Sequence, residues 1–351
     1  MGCIMRANGL AERVSSAMKM SDAPDVIGRT KRIAVIATGG TIAQSVAARA
    51  GRAHLAASEM LDPASLPAGI EMLPIDLFDL PSPAIGLVEM VKLSRAIDEA
   101  LAAGAYGVVV THGTDTLEES AYCVDLCHVA EHPAVFTGAM RPAGLPGADG
   151  ALNLRDALTV AAHPGARKMG ALVVMAGEIH SAQDVRKQHS VSVGAFKSGE
   201  HGLLGRVDEG HVHWARRPLR ARPLRPPRLD ARVEAVKCYA GMGDALLRAA
   251  TASGVDAIVV EAMGSGQVPP AVMPALRDAL TGGVLVVVSS RCGEGPLLRD
   301  HYGLPFHEVG DERELLAAGA LFCELPGTKA RIKTIVGLSA GLSRQELAAW
   351  L

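Results

Sequence analysis

A chain of 351 residues, 49% of them hydrophobic, has length for two domains and material for a sizeable core, but with 3% aromatics that core must be built from Ala, Val, Leu and Ile. A net charge of −2 leaves no electrostatic footprint for nucleic acid, and no apolar run approaches the roughly 18 residues of a membrane span. Six scattered cysteines with no CxxC pair read as buried free thiols in a reducing compartment, not as a disulfide or metal framework.

Residues 1–30 lack the apolar segment of a signal peptide, and Arg6 stands where a myristoylation motif needs Ser or Thr. A poorly ordered extension and a cytoplasmic protein are the expectation. From Arg32 onward, short Val/Ile/Leu/Ala runs alternate with helix patterns. Strands are expected over Arg32–Ala37, Gly69–Ile75, Tyr106–Thr111, Ala134–Thr137 and Ala171–Met175, then over Val233–Cys238, Asp256–Glu261 and Val284–Ser289. Continuous apolar runs of this kind belong to parallel strands covered on both faces by helices. Met90, Leu93, Ile97 and Leu101 form one helical stripe between them. Thr116-Leu-Glu-Glu119 is a capping-box sequence for a helix ending near His128, and Ser343–Glu346 is another before a terminal helix.

One stretch breaks the alternation. Ala215–Arg232 holds seven arginines and four prolines. Proline denies it regular structure. An arginine run can be a nucleic-acid patch, but in a chain without positive balance it reads as an exposed linker. The expected organisation is an extension over 1–30, an N-terminal α/β domain over 31–215, the linker at 216–232 and a C-terminal α/β domain over 233–351.

Two clusters carry the chemical signal: Thr38-Gly39-Gly40-Thr41 and Thr111-His112-Gly113-Thr114-Asp115-Thr116, each directly after an expected strand. The carboxyl ends of strands in an open α/β sheet line the ligand crevice. The glycine spacing fits neither a dinucleotide fingerprint nor a P-loop. What remains is a hydroxyl at a strand end with glycines that let a substrate approach. A threonine hydroxyl is a weak nucleophile and needs a base. A partly buried lysine near Thr114 could take its proton, oriented by a carboxylate. Lys187, after the strand at Ala171–Met175, can reach that sheet edge. Backbone N–H groups around Gly40 and Thr114 are candidates for an oxyanion hole.

Ile36–Ile42, Val110–Glu119, Thr137-Gly-Ala-Met-Arg-Pro142 and Ala148-Asp-Gly150 with Asn153, in this order, resemble the bacterial-type L-asparaginase and glutaminase-asparaginase family. The resemblance runs from about Lys31 to the C-terminus and is loosest after Arg232. It implies a larger flavodoxin-like N-terminal domain with a mostly parallel sheet, a smaller C-terminal α/β domain, and commonly a homotetramer. It also implies hydrolysis of the side-chain amide of L-asparagine through a threonine nucleophile, with no metal or organic cofactor. Carried across, Thr41 matches the nucleophile, and Thr114, Asp115 and Lys187 the second catalytic cluster. Ser82 matches the serine that holds the substrate α-carboxylate, and Asp115 also the partner of the α-ammonium. Arg141 and Asp149 read as loop-fixing residues.

The chain departs from that family at three places. The family carries a flap tyrosine that activates the first threonine, but Ala43–Met60 has no tyrosine; its composition reads as a flexible, lid-like loop in which His54 is the titratable base and Ser45 the nearest hydroxyl. Pro83 follows Ser82 where many members have glutamine. Gln267, in Gly264-Ser-Gly-Gln267, stands where many members have a substrate-binding asparagine from the partner subunit, and Glu294 is a weaker match for another such residue. A weakly active or inactive member that binds a small amino acid as sensor or scaffold is the alternative to an enzyme. Glutamine differs from asparagine by one methylene, about 1–3 kcal/mol of discrimination, so side activity on glutamine or D-asparagine is part of the expectation.

Overall fold

The computed structural model describes residues 30–45, 54–303 and 308–351. The expected N-terminal extension and the middle of the expected lid-like loop lie outside the described residues. Among the described residues, ten strands precede the linker: β1 (Lys31–Ala37), β2 (Ile70–Asp76), β3 (Gly107–Thr111), β4 (Ala134–Thr137), β5 (Ala171–Met175), β6 (Glu178–Ser181), β7 (Arg186–Lys187), β8 (Phe196–Lys197), β9 (Gly205–Asp208) and β10 (His211–Trp214). β7 and β8 pair only with each other, and the other eight make one sheet of order β10-β9-β6-β5-β4-β3-β1-β2. β2 through β5 run parallel, and the β6, β9 and β10 edge is antiparallel.

Strand alternation divides the core in two. Ile33, Val35, Val109 and Val135 face α3 (Gly150–Ala162) through Leu154, Leu158 and Ala161. Ala34, Ile36, Val108 and Val110 face the opposite layer, where α1 (Leu87–Ala102) supplies Leu93 and Ile97 and α2 (Leu117–Cys127) supplies Leu117, Ala121 and Val124. Because helices cover both faces, β3 is buried along its whole length. In α1 the deeply buried residue of the last turn is Ala100, with Leu101 only packed against the edge of the core.

A second sheet joins β11 (Val233–Lys237), β12 (Ala257–Ala262), β13 (Leu285–Ser290) and β14 (Leu321–Phe322), all parallel. Its helices are α4 (Ala245–Ala252), α5 (Met273–Thr281), α6 (Glu312–Ala318), α7 (Gly327–Ser339) and α8 (Arg344–Trp350). The capping box at Ser343 and Glu346 forms, with the Ser343 N–H donating to Glu346 at 2.8 Å. The one expected at Thr116 does not. Helix α2 starts at Leu117 with no N–H bonded to the Thr116 side chain, whose hydroxyl instead donates to the Ser82 carbonyl of a neighbouring loop at 2.8 Å.

Residues 215–232 carry no helix or strand, as their prolines require, but the run is not a loose solvated tether. Arg220 donates to the Asp125 carboxylate at 2.9 Å and to the Asp125 and His128 carbonyls at 2.9 and 3.1 Å. Arg216 meets Asp184 at 3.0 Å. The arginines are staples that strap this segment along the first sheet's helices and loops. Helix α7 of the second unit packs on α2 of the first, with Ile332 and Val336 against Tyr122, Cys123 and Leu126. No described helix is long and apolar enough to cross a membrane.

Candidate active site

The site forms where β1 and β3, adjacent and parallel, reach their carboxyl ends. The two following loops touch through glycine. Gly40 has φ 82°, and a Cβ there would fall 2.3 Å from the Gly113 Cα. A Cβ on Gly113 would in turn fall 2.8 Å from that of Ser82. Any side chain at either position drives the loops apart, so these glycines set the spacing between the two threonine clusters. A buried clamp reinforces it: Thr38 donates through both its N–H and its hydroxyl to the Thr111 carbonyl, at 3.1 and 3.0 Å.

After Gly40 the chain makes a 3-10 turn, Thr41–Ala43, that presents Thr41 at the wall of a pocket of about 380 Å³. Ser82, Thr114, Asp115, Lys187, Met140 and His54 share that wall. Ser82 begins a second 3-10 turn, Ser82–Ala84, with Pro83 pre-set for it. The Ser82 hydroxyl oxygen accepts the Asp115 N–H at 3.2 Å, so Ser82 is tied to the second cluster at both its hydroxyl and its carbonyl.

Lys187 closes the constellation. Its Nζ donates to the Thr114 hydroxyl at 2.8 Å and to Asp115 Oδ1 at 2.6 Å. Its backbone N–H donates to Glu118 at 2.5 Å. Thr114 is buried, and the Asp115 carboxylate is 62% exposed, so its solvent side is open to a ligand cation. The segment leading into Lys187 is held from the other unit. Lys329 of α7 is fully buried and donates its three protons to the carbonyls of Ala182, Gln183 (2.9 Å) and Val185. Burial pulls its ammonium down to about 8, against the nearby Glu118 and Asp184 carboxylates, which favour the charge.

His112, between the clusters, is fully buried. Its Nδ1 lies 2.7 Å from the Gly113 carbonyl and so carries the proton, while Nε2 has no partner. Burial holds this imidazole down to about 4, so it is neutral and structural. Asp149 accepts the backbone N–H groups of Met140 and Arg141 at 2.9–3.1 Å, and Asn153 donates to Asp149 and to the Gly138 carbonyl, both at 3.0 Å. These bonds shape the loop that delivers Met140 and leave Asp149 and Arg141 outside the chemistry.

Thr41, Ser82, Thr114, Asp115 and Lys187, singled out in sequence, thus line one pocket. Gln267 does not join them within its own chain. It closes a tight turn after β12, with backbone bonds to Met263 at 2.7 and 3.0 Å, and its amide lies 3.4 Å from His301 Nδ1. Glu294 lies against Gly199 in a different cavity, between the two units. Sequence reasoning missed Glu118, Lys329 and Asp79. Glu118 lies inside the Val110–Glu119 motif, where the sequence marks the capping-box pair and gives Glu118 no partner. Nothing in the pattern marks Lys329 as buried, since it occupies the charged face expected of any surface helix.

None of the four tyrosines lines the pocket. His54 does line it; it bridges back to Gln44, and its Nδ1 meets the Asp79 carboxylate.

Comparison with known proteins gives one consistent result. The family model "Asparaginase, N-terminal" matches residues 32–220, and "Glutaminase/Asparaginase C-terminal domain" matches residues 232–351. A probable L-asparaginase of Deinococcus radiodurans is 38% identical over 324 residues, covering 90% of this chain and 95% of its own. An L-asparaginase of Bacillus licheniformis is 33% identical, covering 88% and 96%, and a glutaminase-asparaginase of Pseudomonas fluorescens is 33% identical, covering 93% and 92%. The crystal structure of a probable cytoplasmic L-asparaginase from Campylobacter jejuni superposes with a TM-score of 0.77 at 28% identity, covering 91% of this chain and 98% of that one.

Proposed function

This chain belongs to the family of bacterial-type L-asparaginases and glutaminase-asparaginases and is an asparagine amidohydrolase, and we propose that it works through a covalent acyl-enzyme on Thr41. The observation that carries this reading is the Lys187–Thr114–Asp115 contact, 2.8 and 2.6 Å, set across one pocket from Thr41.

A zwitterionic substrate needs an anion and a cation site at fixed separation. Asp115 takes the α-ammonium, an interaction of roughly 4 kcal/mol at about 4 Å and an effective dielectric of about 20, before desolvation. The Ser82 hydroxyl takes the α-carboxylate. The side-chain amide then lies between the two threonines. Thr41 Oγ attacks the amide carbon, and the carbonyl oxygen becomes an oxyanion facing backbone N–H groups of the two glycine turns. Collapse expels ammonia, with its proton delivered from Lys187 through the Thr114 hydroxyl. Water then attacks the ester and gives a proton back along the same path, and Thr41 Oγ leaves as aspartate forms. Water is the only co-reactant.

Glutamine is a side substrate, since relatives named glutaminase-asparaginase share the fold and one methylene discriminates weakly. D-asparagine is a second. The working assembly is a homotetramer in which Gln267 reaches the pocket of a second copy of the chain. The compartment is the cytoplasm, in keeping with the free thiols of Cys123, Cys238 and Cys323 in the core; relatives are named both cytoplasmic and periplasmic. Ammonia release from L-asparagine by the native protein and by Thr41→Ala and Thr114→Ala tests the assignment. Both variants should lose activity, and undiminished turnover in both would remove these residues from the chemistry.

A further inference from the structure

The family's activating tyrosine is absent, so Thr41 needs another base. We propose that His54, oriented by Asp79, is that base, and that Thr41, His54 and Asp79 act as a nucleophile–base–carboxylate triad. This rests on Thr41 being the nucleophile.

Three observations support it. First, the chain returns to the site at His54. The backbone of Leu55 donates to the Ala43 carbonyl, and His54 pairs with Gln44, which puts it beside the turn that begins at Thr41. His54 and Thr41 line the same pocket. Second, His54 is not a solvated loop histidine. Its side chain is 25% exposed and forms the partition between the active-site pocket and a neighbouring cavity of about 360 Å³ lined by Asp76, Phe78 and Asp79. Third, the ring has a fixed tautomer. Nδ1 is committed to the Asp79 carboxylate, which accepts its proton, so Nε2 is the nitrogen left to accept one. A carboxylate on one ring nitrogen, with the hydroxyl nucleophile on the wall of the same pocket as the ring, is the set of groups that activates a serine or threonine.

The proton balance closes with the mechanism above. The Thr41 hydroxyl proton passes to His54 Nε2 as Oγ bonds to the amide carbon. The resulting imidazolium is stabilised by Asp79. After water has opened the ester, His54 returns the proton to the Thr41 alkoxide. Lys187 and Thr114 serve the leaving nitrogen and the water, so the two threonine clusters have separate proton partners.

The charged groups facing His54 are Asp79 after β2, Asp76 at the end of β2, where it accepts the Ala57 N–H at 2.8 Å, and Asp115 and Lys187 across the pocket. Glu59, in the turn that follows His54, caps the Ala56 N–H at 2.9 Å. Asp79 is the one in direct contact with the ring.

The test is steady-state asparagine hydrolysis against pH for the native chain, His54→Ala, Asp79→Asn and Thr41→Ala, each first shown to melt as the native protein does. His54→Ala should lose about 100- to 10,000-fold in kcat. It should lose the acid limb of its kcat/KM profile and regain activity several-fold with added imidazole. Asp79→Asn, which removes the carboxylate on Nδ1, should lower kcat by less than His54→Ala does. A His54→Ala enzyme within threefold of native, or one that is slow but neither rescued by imidazole nor changed in pH profile, overturns the inference while leaving Thr41 as nucleophile. Activity surviving in Thr41→Ala overturns the underlying mechanism instead.

Discussion

Thr114 and Thr41 follow neighbouring strands of one sheet, yet they are held in different ways. Thr114 is buried and braced by Lys187 at 2.8 Å and by Ser82 through the Asp115 N–H. Lys187 is itself fixed by Glu118 and, through Lys329, by the second domain. Thr41 has the rigid glycine contact below it, but its outer wall comes from the chain that returns at His54. The core pre-organises the half that handles the leaving group and water. The half that makes the nucleophile is completed from a loop. Rigid packing sets the proton path around Thr114, whereas the base beside Thr41 comes from chain that leaves the site after Ser45 and returns at His54.

Breaking the two halves should give unequal results. Thr41→Ala should cost the most, about 10⁴-fold or more in kcat, because no acyl-enzyme can form. Lys187→Met should cost about 10²- to 10⁴-fold, the value of one positioned acid–base group, with the Thr114→Ala loss in the same range and not additive to it. Ammonia assays on the single and double variants check this.

Lys329→Met tests whether the second domain braces the Thr114 half. It leaves three carbonyls without their donor, and a buried acceptor left unsatisfied costs about 1–3 kcal/mol. Urea unfolding should show that loss, and the surviving enzyme should fall in kcat more than it rises in KM. Ser82→Ala should do the reverse, raising KM by about tenfold through loss of a hydrogen bond to a charged group, with kcat little changed.

An effect on stability confined to acid pH concerns His112. Its folded imidazole titrates at about 4, below its ordinary value of 6.5. Between those values the unfolded chain binds the proton and the folded one does not, so the group's contribution to stability is present above pH 6.5 and is lost as pH falls toward 4. His112→Asn keeps a donor for the Gly113 carbonyl and removes the titration. Its urea stability should therefore fall less than that of the native protein over this window, by up to about 3 kcal/mol.

The strands and the threonine clusters were legible because they rest on local rules: apolar runs for strands covered on both faces, glycine where loops touch, and hydroxyls at strand ends. β5 falls where its run predicted, and Thr41, Ser82, Thr114, Asp115 and Lys187 line one pocket. What escaped depends on contacts distant in sequence. The Thr116 hydroxyl turned away from its helix because Ser82, 34 residues earlier, lies closer. The arginines of 215–232 read as solvated because the carboxylates that bind them, Asp125 and Asp184, come from other elements. Lys329 reads as a surface cation until the Ala182–Val185 carbonyls are seen around it. His54 was visible as a base, but not Asp79, which gives it a fixed tautomer.

The most direct test is to trap the intermediate. Native enzyme mixed with L-asparagine and quenched in acid within a turnover, then digested and mapped by mass spectrometry, should carry one aspartyl group on the peptide containing Thr41 and none on that containing Thr114. An adduct on Thr114, or full turnover with no adduct on either, would contradict the division of labour between the two threonines.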